Sequence, residues 1–300
     1  MPEKKIDLAP FRHLYPFPSR FIDIGGLRYH YLDEGRGKPV VMLHGNPTWS
    51  FYFRRMVQAL SPEYRVIVPD HMGCGLSDAP SPRRYGYRLA NRVDDLERLL
   101  DHLAVDAPLT LMVHDWGGMI GLCYALRHPE RIGRLVITNT AGFFPPGEKG
   151  LPVRLRLIRN LAPFAVPAVL GLNLFSRAAL FMAPRKRLAR AVRLGLAAPY
   201  STPARRMATL KFVQDIPLTP RDPSYPLVRH VDDHLALLSH LPMLILWGLR
   251  DFVFDEDYLS EWRRRFPDAA VHTFPEGGHY LLEDESDAIL PIVKEFLKNH

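Results

Sequence analysis

Residues 113–118, with the sequence VHDWGG, place one carboxylate at the junction of a predicted strand and a predicted helix. The preceding residues LTLMV form a continuous apolar run, which is typical of a buried strand. Glycines follow closely after Asp115, so its side chain is predicted to stand on a sharp turn, as a nucleophile does. A serine here would indicate an esterase, but a carboxylate indicates different chemistry.

Asp115 is a weak nucleophile toward an amide or an ordinary ester, because the anhydride formed is less stable than the starting material. A carboxylate can instead displace a leaving group from saturated carbon, or open a strained ring, and it then forms an ester on the enzyme. Water can split that ester when a general base activates it. We therefore expect alkyl halides, epoxides or strained lactones as substrates.

A base and an orienting acid follow later in the chain. His279 comes after a predicted strand and the residues PEGG, and Asp251 comes after the apolar run LILWGL. Side chains at the carboxyl ends of strands in an open α/β sheet lie together, and the chain order is nucleophile, acid, histidine. We predict His279 as the general base and Asp251 as the acid that orients it, with Asp255 and Asp257 as alternatives.

Two neutral donors accompany the nucleophile. Trp116 follows Asp115 directly, and its indole offers one N–H donor and no acceptor. Asn46, in the segment HGNPTWS after another apolar run, supplies a second donor from the facing turn. We predict that this pair stabilises developing negative charge, since neutral donors hold an anion without binding it too firmly for release.

The elements that position these side chains alternate between strands and helices. Residues 21–33 read as two strands joined at Gly25 and Gly26. Further strands are predicted at residues 39–45, 64–70, 109–118, 134–141, 241–251 and 269–279. Helices are predicted at residues 87–103, 119–132 and 287–300. This alternation predicts an α/β protein with a mostly parallel sheet covered on both faces.

The alternation stops between two of the core strands. Residues 143–235 hold 12 of the 28 prolines and show the pattern of short helices rather than strands. We interpret this segment as an inserted helical cap domain. Residues 1–142 and 236–300 together then form the core domain.

The charge is unevenly distributed along the chain. The formal net charge is +7, and residues 151–200 hold eight arginines and Lys186 but no acidic residue. A solvated helix face, an anionic membrane surface or a protein partner would each account for this pattern. Nucleic acid is not expected as a partner, because no recognition motif accompanies the charge.

Two cysteines, Cys74 and Cys123, are too few for a disulfide framework and lack the spacing of a zinc site. They favour a reducing compartment, so we expect a cytoplasmic protein. The N-terminal residues show no signal peptide, and no run of about 18 apolar residues predicts a membrane span. Attachment to a membrane surface through the basic cap stays open.

Five segments together resemble the haloalkane dehalogenase family of α/β-hydrolases. They are HGNPTWS, DHMGCGLSD, VHDWGG, WGLRD and GGHYLLEDE, and the resemblance covers nearly all of the chain. It implies an eight-stranded sheet with a helical cap and neither cofactor nor metal. It also implies Asp115 as nucleophile, His279 as base, Asp251 as acid, and Asn46 with Trp116 as the anion-stabilising pair.

The predicted cap resembles one particular branch of these enzymes. Residues 210–228, LKFVQDIPLTPRDPSYPLV, and the long apolar and basic cap are similar to the OleB-type β-lactone decarboxylases of bacterial olefin biosynthesis. The resemblance implies conversion of a long-chain cis-β-lactone to a cis-alkene and carbon dioxide. The alternative is a haloalkane dehalogenase, which would release halide and an alcohol. Three points stay open. They are whether Asp115 attacks the ring carbon or the carbonyl, the chain length of the hydrophobic substrate, and which pathway enzymes would bind the cap.

Two further alternatives use the same fold. An epoxide hydrolase also carries an elbow aspartate but needs acidic donors, for which the cap offers Tyr200 and Tyr225. A non-catalytic scaffold usually lacks one member of the triad, whereas this sequence retains all three.

Overall fold

The computed structural model describes residues 6–105, 107–147 and 149–300. A single sheet of eight strands runs through its centre, which confirms the predicted α/β-hydrolase sheet. The strands are β1 (Arg20–Asp23), β2 (Arg28–Glu34), β3 (Pro39–Leu43), β4 (Arg65–Pro69), β5 (Leu109–His114), β6 (Ile132–Thr138), β7 (Met243–Gly248) and β8 (Ala270–Phe274).

The strand order is β1-β2-β4-β3-β5-β6-β7-β8. The pairs β1–β2 and β2–β4 are antiparallel, and every pair from β4–β3 to β7–β8 is parallel. The β1–β2 turn contains Gly25 and Gly26 at φ values of 62° and 78°, which only glycine adopts without strain. The parallel order brings the carboxyl ends of β3, β5, β6 and β7 to one edge of the sheet.

Helices pack on both faces of the sheet, as the alternation predicts. They are α1 (Arg54–Leu60), α2 (Leu89–His102), α3 (Trp116–Arg127), α4 (Val153–Asn160), α5 (Ala162–Ala165), α6 (Leu174–Met182), α7 (Arg190–Ala197), α8 (Met207–Gln214), α9 (Tyr225–His234), α10 (Glu256–Arg265), α11 (Leu281–Asp284) and α12 (Ser286–Asn299). Helices α2 and α3 contribute to one large apolar cluster, and α1 and α12 contribute to another. The alternating side chains of β3 and β5 separate these two clusters.

Helix α3 differs from its predicted bounds. Residues 119–132 were expected to be helical, but the helix begins at Trp116 and ends at Arg127. It begins earlier because the backbone turns at Asp115 itself, so both glycines of the elbow lie inside the first helical turn. It ends earlier because a short 3-10 turn, Pro129–Arg131, leads directly into β6.

The chain between β6 and β7 is helical wherever it forms regular structure among the described residues, with α4 to α9 in that interval. A small apolar cluster joins Ala165 of α5, Val169 of the π-helical turn Val166–Gly171 and Leu210 of α8. The domain boundaries at residues 143 and 235 stay a prediction.

No single helix in the described ranges has the length and apolar composition needed to cross a bilayer. One bent pair, Ala162–Gly171 with Leu174–Met182, passes that test jointly by length and composition.

Candidate active site

Asp115 lies on a strained turn between β5 and α3. Its backbone adopts φ 50° and ψ −127°, a conformation that L-residues rarely adopt. The turn is held by the Thr140 hydroxyl, which donates to the Asp115 carbonyl at 2.5 Å, and by the Asp115 N–H, which donates to Asn139 at 3.2 Å. Gly117 is required, because a Cβ there would collide with the carbonyl of Leu43 in β3. The turn thus presents the carboxylate at the edge of the sheet.

The Asp115 carboxylate is 8% exposed and is held by backbone donors. The Asn46 N–H donates to its Oδ2 atom at 2.7 Å, and the Trp116 N–H donates as well. Burial raises the pKa of Asp115, while nearby His279 and the two N–H groups oppose that rise. A buried carboxylate with few solvating partners is a stronger nucleophile than a hydrated one.

Asp251 is hydrogen-bonded to His279, which is the geometry that an orienting acid needs. The His279 Nδ1 atom lies 2.8 Å from Asp251 Oδ2. The other oxygen of Asp251 accepts the N–H groups of Val253 at 2.7 Å and Phe254 at 3.2 Å. Because the carboxylate only accepts, the Nδ1 atom donates, and Nε2 is left facing the cavity that Asp115 lines.

The charge on His279 is coupled to Asp115. Burial alone would lower the pKa of His279, but the pairing with Asp251 and the nearby Asp115 raises it to about 9. The imidazole is therefore protonated near neutral pH. An ester at Asp115 would remove its charge and with it one of the contributions that raise the pKa of His279, while the larger contribution of Asp251 would stay.

The alternative acids lie elsewhere. Asp255 and Asp257 both pair with Lys149 at the surface. The residue at the end of β6 is not an acid but Asn139, and it links β6 to β7. Its amide donates to the Gly248 carbonyl at 3.1 Å and accepts the Gly248 N–H at 2.9 Å. Of the acids considered, Asp251 alone has a hydrogen bond to the histidine.

His114 lies fully buried beside His279. Its Nε2 atom is 2.7 Å from the His279 carbonyl, which can only accept, so the imidazole donates and holds the His279 backbone. Burial lowers the pKa of His114, which keeps the ring neutral.

The two predicted anion donors differ in their surroundings. The Asn46 amide donates to the Thr209 carbonyl of α8 at 3.0 Å, which leaves one of its two hydrogens for the cavity. The indole of Trp116 packs on Phe212 of α8 with ring centroids 5.3 Å apart. No protein acceptor for the indole N–H is found in the described part of the chain, so this donor is available to a ligand.

Helix α8 therefore supplies supporting residues that sequence reasoning missed. Phe212 also carries the guanidinium of Arg92, which lies 3.6 Å from its ring centroid. Arg92 is 1% exposed, and none of its nitrogens has a hydrogen-bond partner among the described residues. Thr209 and Phe212 lie more than 90 positions from Trp116, and no local pattern marks them.

Four of the predicted site residues line one cavity of about 410 Å³, and the fifth, Asp251, lies behind His279. Asp115, Trp116 and Asn46 form a polar end, while the remaining wall is largely apolar and comes mostly from the helical segment between β6 and β7. Within the described ranges, no group of three His, Cys, Asp or Glu side chains could hold a metal ion. The arrangement suits attack of a carboxylate on an apolar substrate that releases an anion.

Comparisons with known proteins agree with this geometry. The family model described as alpha/beta hydrolase fold matches residues 38–286. A cis-3-alkyl-4-alkyloxetan-2-one decarboxylase of Shewanella oneidensis is 49% identical over 95% of this chain and 89% of its own length. The enzyme of the same name from Xanthomonas campestris is 43% identical over 95% of this chain and 98% of its own.

Haloalkane dehalogenases are also similar. Haloalkane dehalogenase 2 of Mycobacterium tuberculosis is 32% identical over 97% of this chain and 98% of its own length. The crystal structure of a haloalkane dehalogenase from Bradyrhizobium elkani superposes with a TM-score of 0.85 at 24% identity, covering 94% of this chain and 98% of that one. The chain belongs to the α/β-hydrolase fold family, within the group that holds the haloalkane dehalogenases and the cis-3-alkyl-4-alkyloxetan-2-one decarboxylases.

Proposed function

We propose that this enzyme is a β-lactone decarboxylase, which converts long-chain cis-β-lactones to cis-alkenes and carbon dioxide in hydrocarbon biosynthesis. The observation that carries the proposal is the 49% identity, over nearly the whole chain, with a decarboxylase of such oxetan-2-ones. Dehalogenase relatives reach 32% to 34%. The cavity supports the same substrate class, because an apolar wall with one polar end suits a small polar ring that carries alkyl chains.

The site can perform this reaction without water. Asp115 attacks the saturated ring carbon that carries the ring oxygen, and the carbon–oxygen bond breaks. The electron pair of that bond stays on the new carboxylate, which accepts the indole N–H of Trp116 and the free amide hydrogen of Asn46. Two neutral donors stabilise this anion without trapping it.

The second step regenerates the nucleophile. The bond between the new carboxylate and the neighbouring carbon breaks, its electron pair forms the double bond, and Asp115 departs as a carboxylate. Displacement inverts the attacked carbon, and anti elimination then converts a cis-lactone to a cis-alkene. The atoms balance with carbon dioxide as the only co-product, and no water is consumed. His279 is therefore needed to orient the Asp115 carboxylate and balance its charge rather than to activate water.

A haloalkane dehalogenase is the second candidate, because the same donors would hold a halide and the relatives include such enzymes. One experiment separates the two. Purified enzyme receives a cis-3,4-dialkyl-β-lactone with alkene followed by gas chromatography, and a long-chain bromoalkane with halide followed in parallel. We expect the wild-type enzyme to form alkene and the Asp115→Ala variant to form none. Halide release without any alkene would assign the chain as a dehalogenase instead.

We infer an intracellular location from the two cysteines. Cys74 and Cys123 are both free thiols and both buried, which suits a reducing compartment. We infer that the enzyme works in the cytoplasm. Fractionation of native cells would overturn this inference if the protein were recovered from the periplasm or the medium.

A further inference from the structure

The cap exposes large apolar side chains that a soluble surface normally covers. Phe181 is 72% exposed and Val153 is 62% exposed, and neighbouring cap residues add to them. We use the name cap patch for Val153, Arg154, Leu157, Phe164, Leu174, Phe181 and Arg185. An exposed apolar cluster of this kind marks an interaction surface.

The cap patch is continuous with the mouth of the active-site cavity. Leu157, Phe164 and Leu174 line the cavity and are also exposed, so they form its rim. A shallow groove beside the rim is lined by Val153, Phe181 and others. Arg154 lines both the cavity and the groove, which joins them into one surface.

The chain segment that carries the cap patch has charged residues of one sign. Residues 149–214 hold thirteen of the 39 basic residues of the chain and none of its 32 acidic residues. The rest of the chain therefore has 26 basic and 32 acidic residues, an excess of negative charge. On α6, Leu174, Arg177 and Phe181 follow at spacings of three and four, so cations and apolar side chains share one helix face. Such a surface is complementary to an anionic one.

The shape of this region fits a bilayer surface rather than a span. Ala162–Gly171 and Leu174–Met182 are apolar enough together to enter lipid, but the two segments are bent by 73°. Short helices with apolar and cationic side chains on one face lie in the interface between headgroups and acyl chains.

We propose that the cap patch docks on an anionic lipid bilayer, with Phe181 and Val153 inserted among the acyl chains and Arg154 and Arg185 on lipid phosphates. In this pose the mouth of the cavity opens directly into the membrane. The advantage of this pose rests on the proposed function, because a long-chain alkene has no polar group. Each methylene raises the partition coefficient from water to lipid about fourfold. The product then leaves into lipid without crossing water.

Co-sedimentation with vesicles tests the docking without any substrate. The purified full chain is mixed with vesicles of phosphatidylcholine alone, or of phosphatidylcholine and phosphatidylglycerol in equal parts. We expect binding only to the anionic vesicles, weakening as salt is raised. Arg154→Gln with Arg185→Gln should weaken binding about 25-fold, since each surface cation contributes about fivefold. Val153→Ser with Phe181→Ser should weaken it by roughly tenfold or more.

Matched controls lie outside the cap patch. Leu237 is 63% exposed, and Arg36 and Arg263 are exposed as well, so Leu237→Ser and Arg36→Gln with Arg263→Gln should bind within about twofold of the wild type. Failure to bind anionic vesicles, equal binding to neutral vesicles, or equal losses in the controls would each overturn the proposal. So would light scattering that shows the patch joining two copies of the chain in the absence of lipid. Whatever these binding experiments show, alkene formation from a dissolved lactone is measured separately. The docking proposal and the proposed function can therefore fail independently.

Discussion

The proposed chemistry of the site depends on the negative charge of Asp115, which is lost when an ester forms and regained when the ester breaks. Asp251 contributes most to the raised pKa of His279 and Asp115 contributes less, so an ester at Asp115 would remove only the smaller contribution. A dehalogenase needs the neutral imidazole to activate water, whereas the decarboxylation route has no step that consumes water. Removal of His279 therefore separates the two chemistries.

His279→Gln provides that separation. With a bromoalkane we expect Asp115 to be alkylated and the ester to persist, because general-base catalysis contributes about 10²–10⁴-fold to such steps. Intact-protein mass spectrometry should show a gain of one alkyl group, absent in Asp115→Ala. Alkene formation from the β-lactone should fall less than ester hydrolysis does. Complete loss of alkene with normal alcohol release would contradict the proposed role of His279.

At the scale of elements, three segments meet at the nucleophile: the elbow before α3, the turn after β3 and the cap helix α8. The elbow approaches β3 so closely that only glycine fits at position 117. Helix α8 contacts both predicted anion donors, because the Thr209 carbonyl accepts from Asn46 and Phe212 packs on Trp116. The helical segment between β6 and β7 therefore meets the sheet at the polar end of the cavity.

Gly117→Ala should displace the elbow, because its methyl group would overlap the Leu43 carbonyl and backbone cannot yield as a side chain can. We expect a loss of about 2–4 kcal/mol in the free energy of unfolding and a large loss of activity. Urea unfolding and the alkene assay measure both. Gly171→Ala is the matched control, since its Cβ would meet open space and should change stability by under about 1 kcal/mol.

The contact between α2 and α8 is testable by a double-mutant cycle. Arg92 and Phe212 are both buried, and the guanidinium lies on the ring face at 3.6 Å. Arg92→Met and Phe212→Leu, alone and combined, should give a coupling free energy of roughly 1–2 kcal/mol by urea unfolding. A coupling free energy of zero would show that Arg92 is held by something other than this ring.

At the scale of the whole molecule, many buried groups constrain the pH range of stability. The unfolded chain exposes every titrating side chain, whereas the folded chain buries His279 beside two carboxylates and buries both thiols. The pKa of His279 is raised to about 9, and burial raises those of Cys74 and Cys123 to about 12. In each case the folded state holds its proton to higher pH than the unfolded state does.

Stability should therefore decline on the alkaline side. The contribution of His279 is complete below its unfolded pKa of about 6.5 and is lost as the pH rises through about 9. Above that range the thiols add to the decline, because the unfolded state releases their protons first. Urea unfolding across this range should show both parts, and His279→Gln should remove the first part alone. A flat profile between neutral pH and about 9 would show that the pairing with Asp251 does not raise the pKa.

Much of the architecture could be predicted because its signals are local. Continuous apolar runs mark β3 to β7, and paired glycines mark the β1–β2 turn. The bounds were less accurate: the pattern predicts the start of α3 at residue 119, but the helix starts at Trp116, directly after the turn that the backbone of Asp115 makes at φ 50°.

The sequence by itself determined the reaction class, and it predicted Asp115 as the nucleophile together with the candidates for its partners, because an aspartate on a strand-to-helix turn limits the chemistry wherever the chain places it. Only the tertiary structure distinguished Asp251 from Asp255 and Asp257, since that choice depends on which carboxylate meets the imidazole. It alone brought Thr209 and Phe212 to the anion donors and joined the exposed cap residues to the mouth of the cavity. These contacts link residues far apart in the chain, and hydrophobic packing of the whole molecule, rather than any local pattern, sets them.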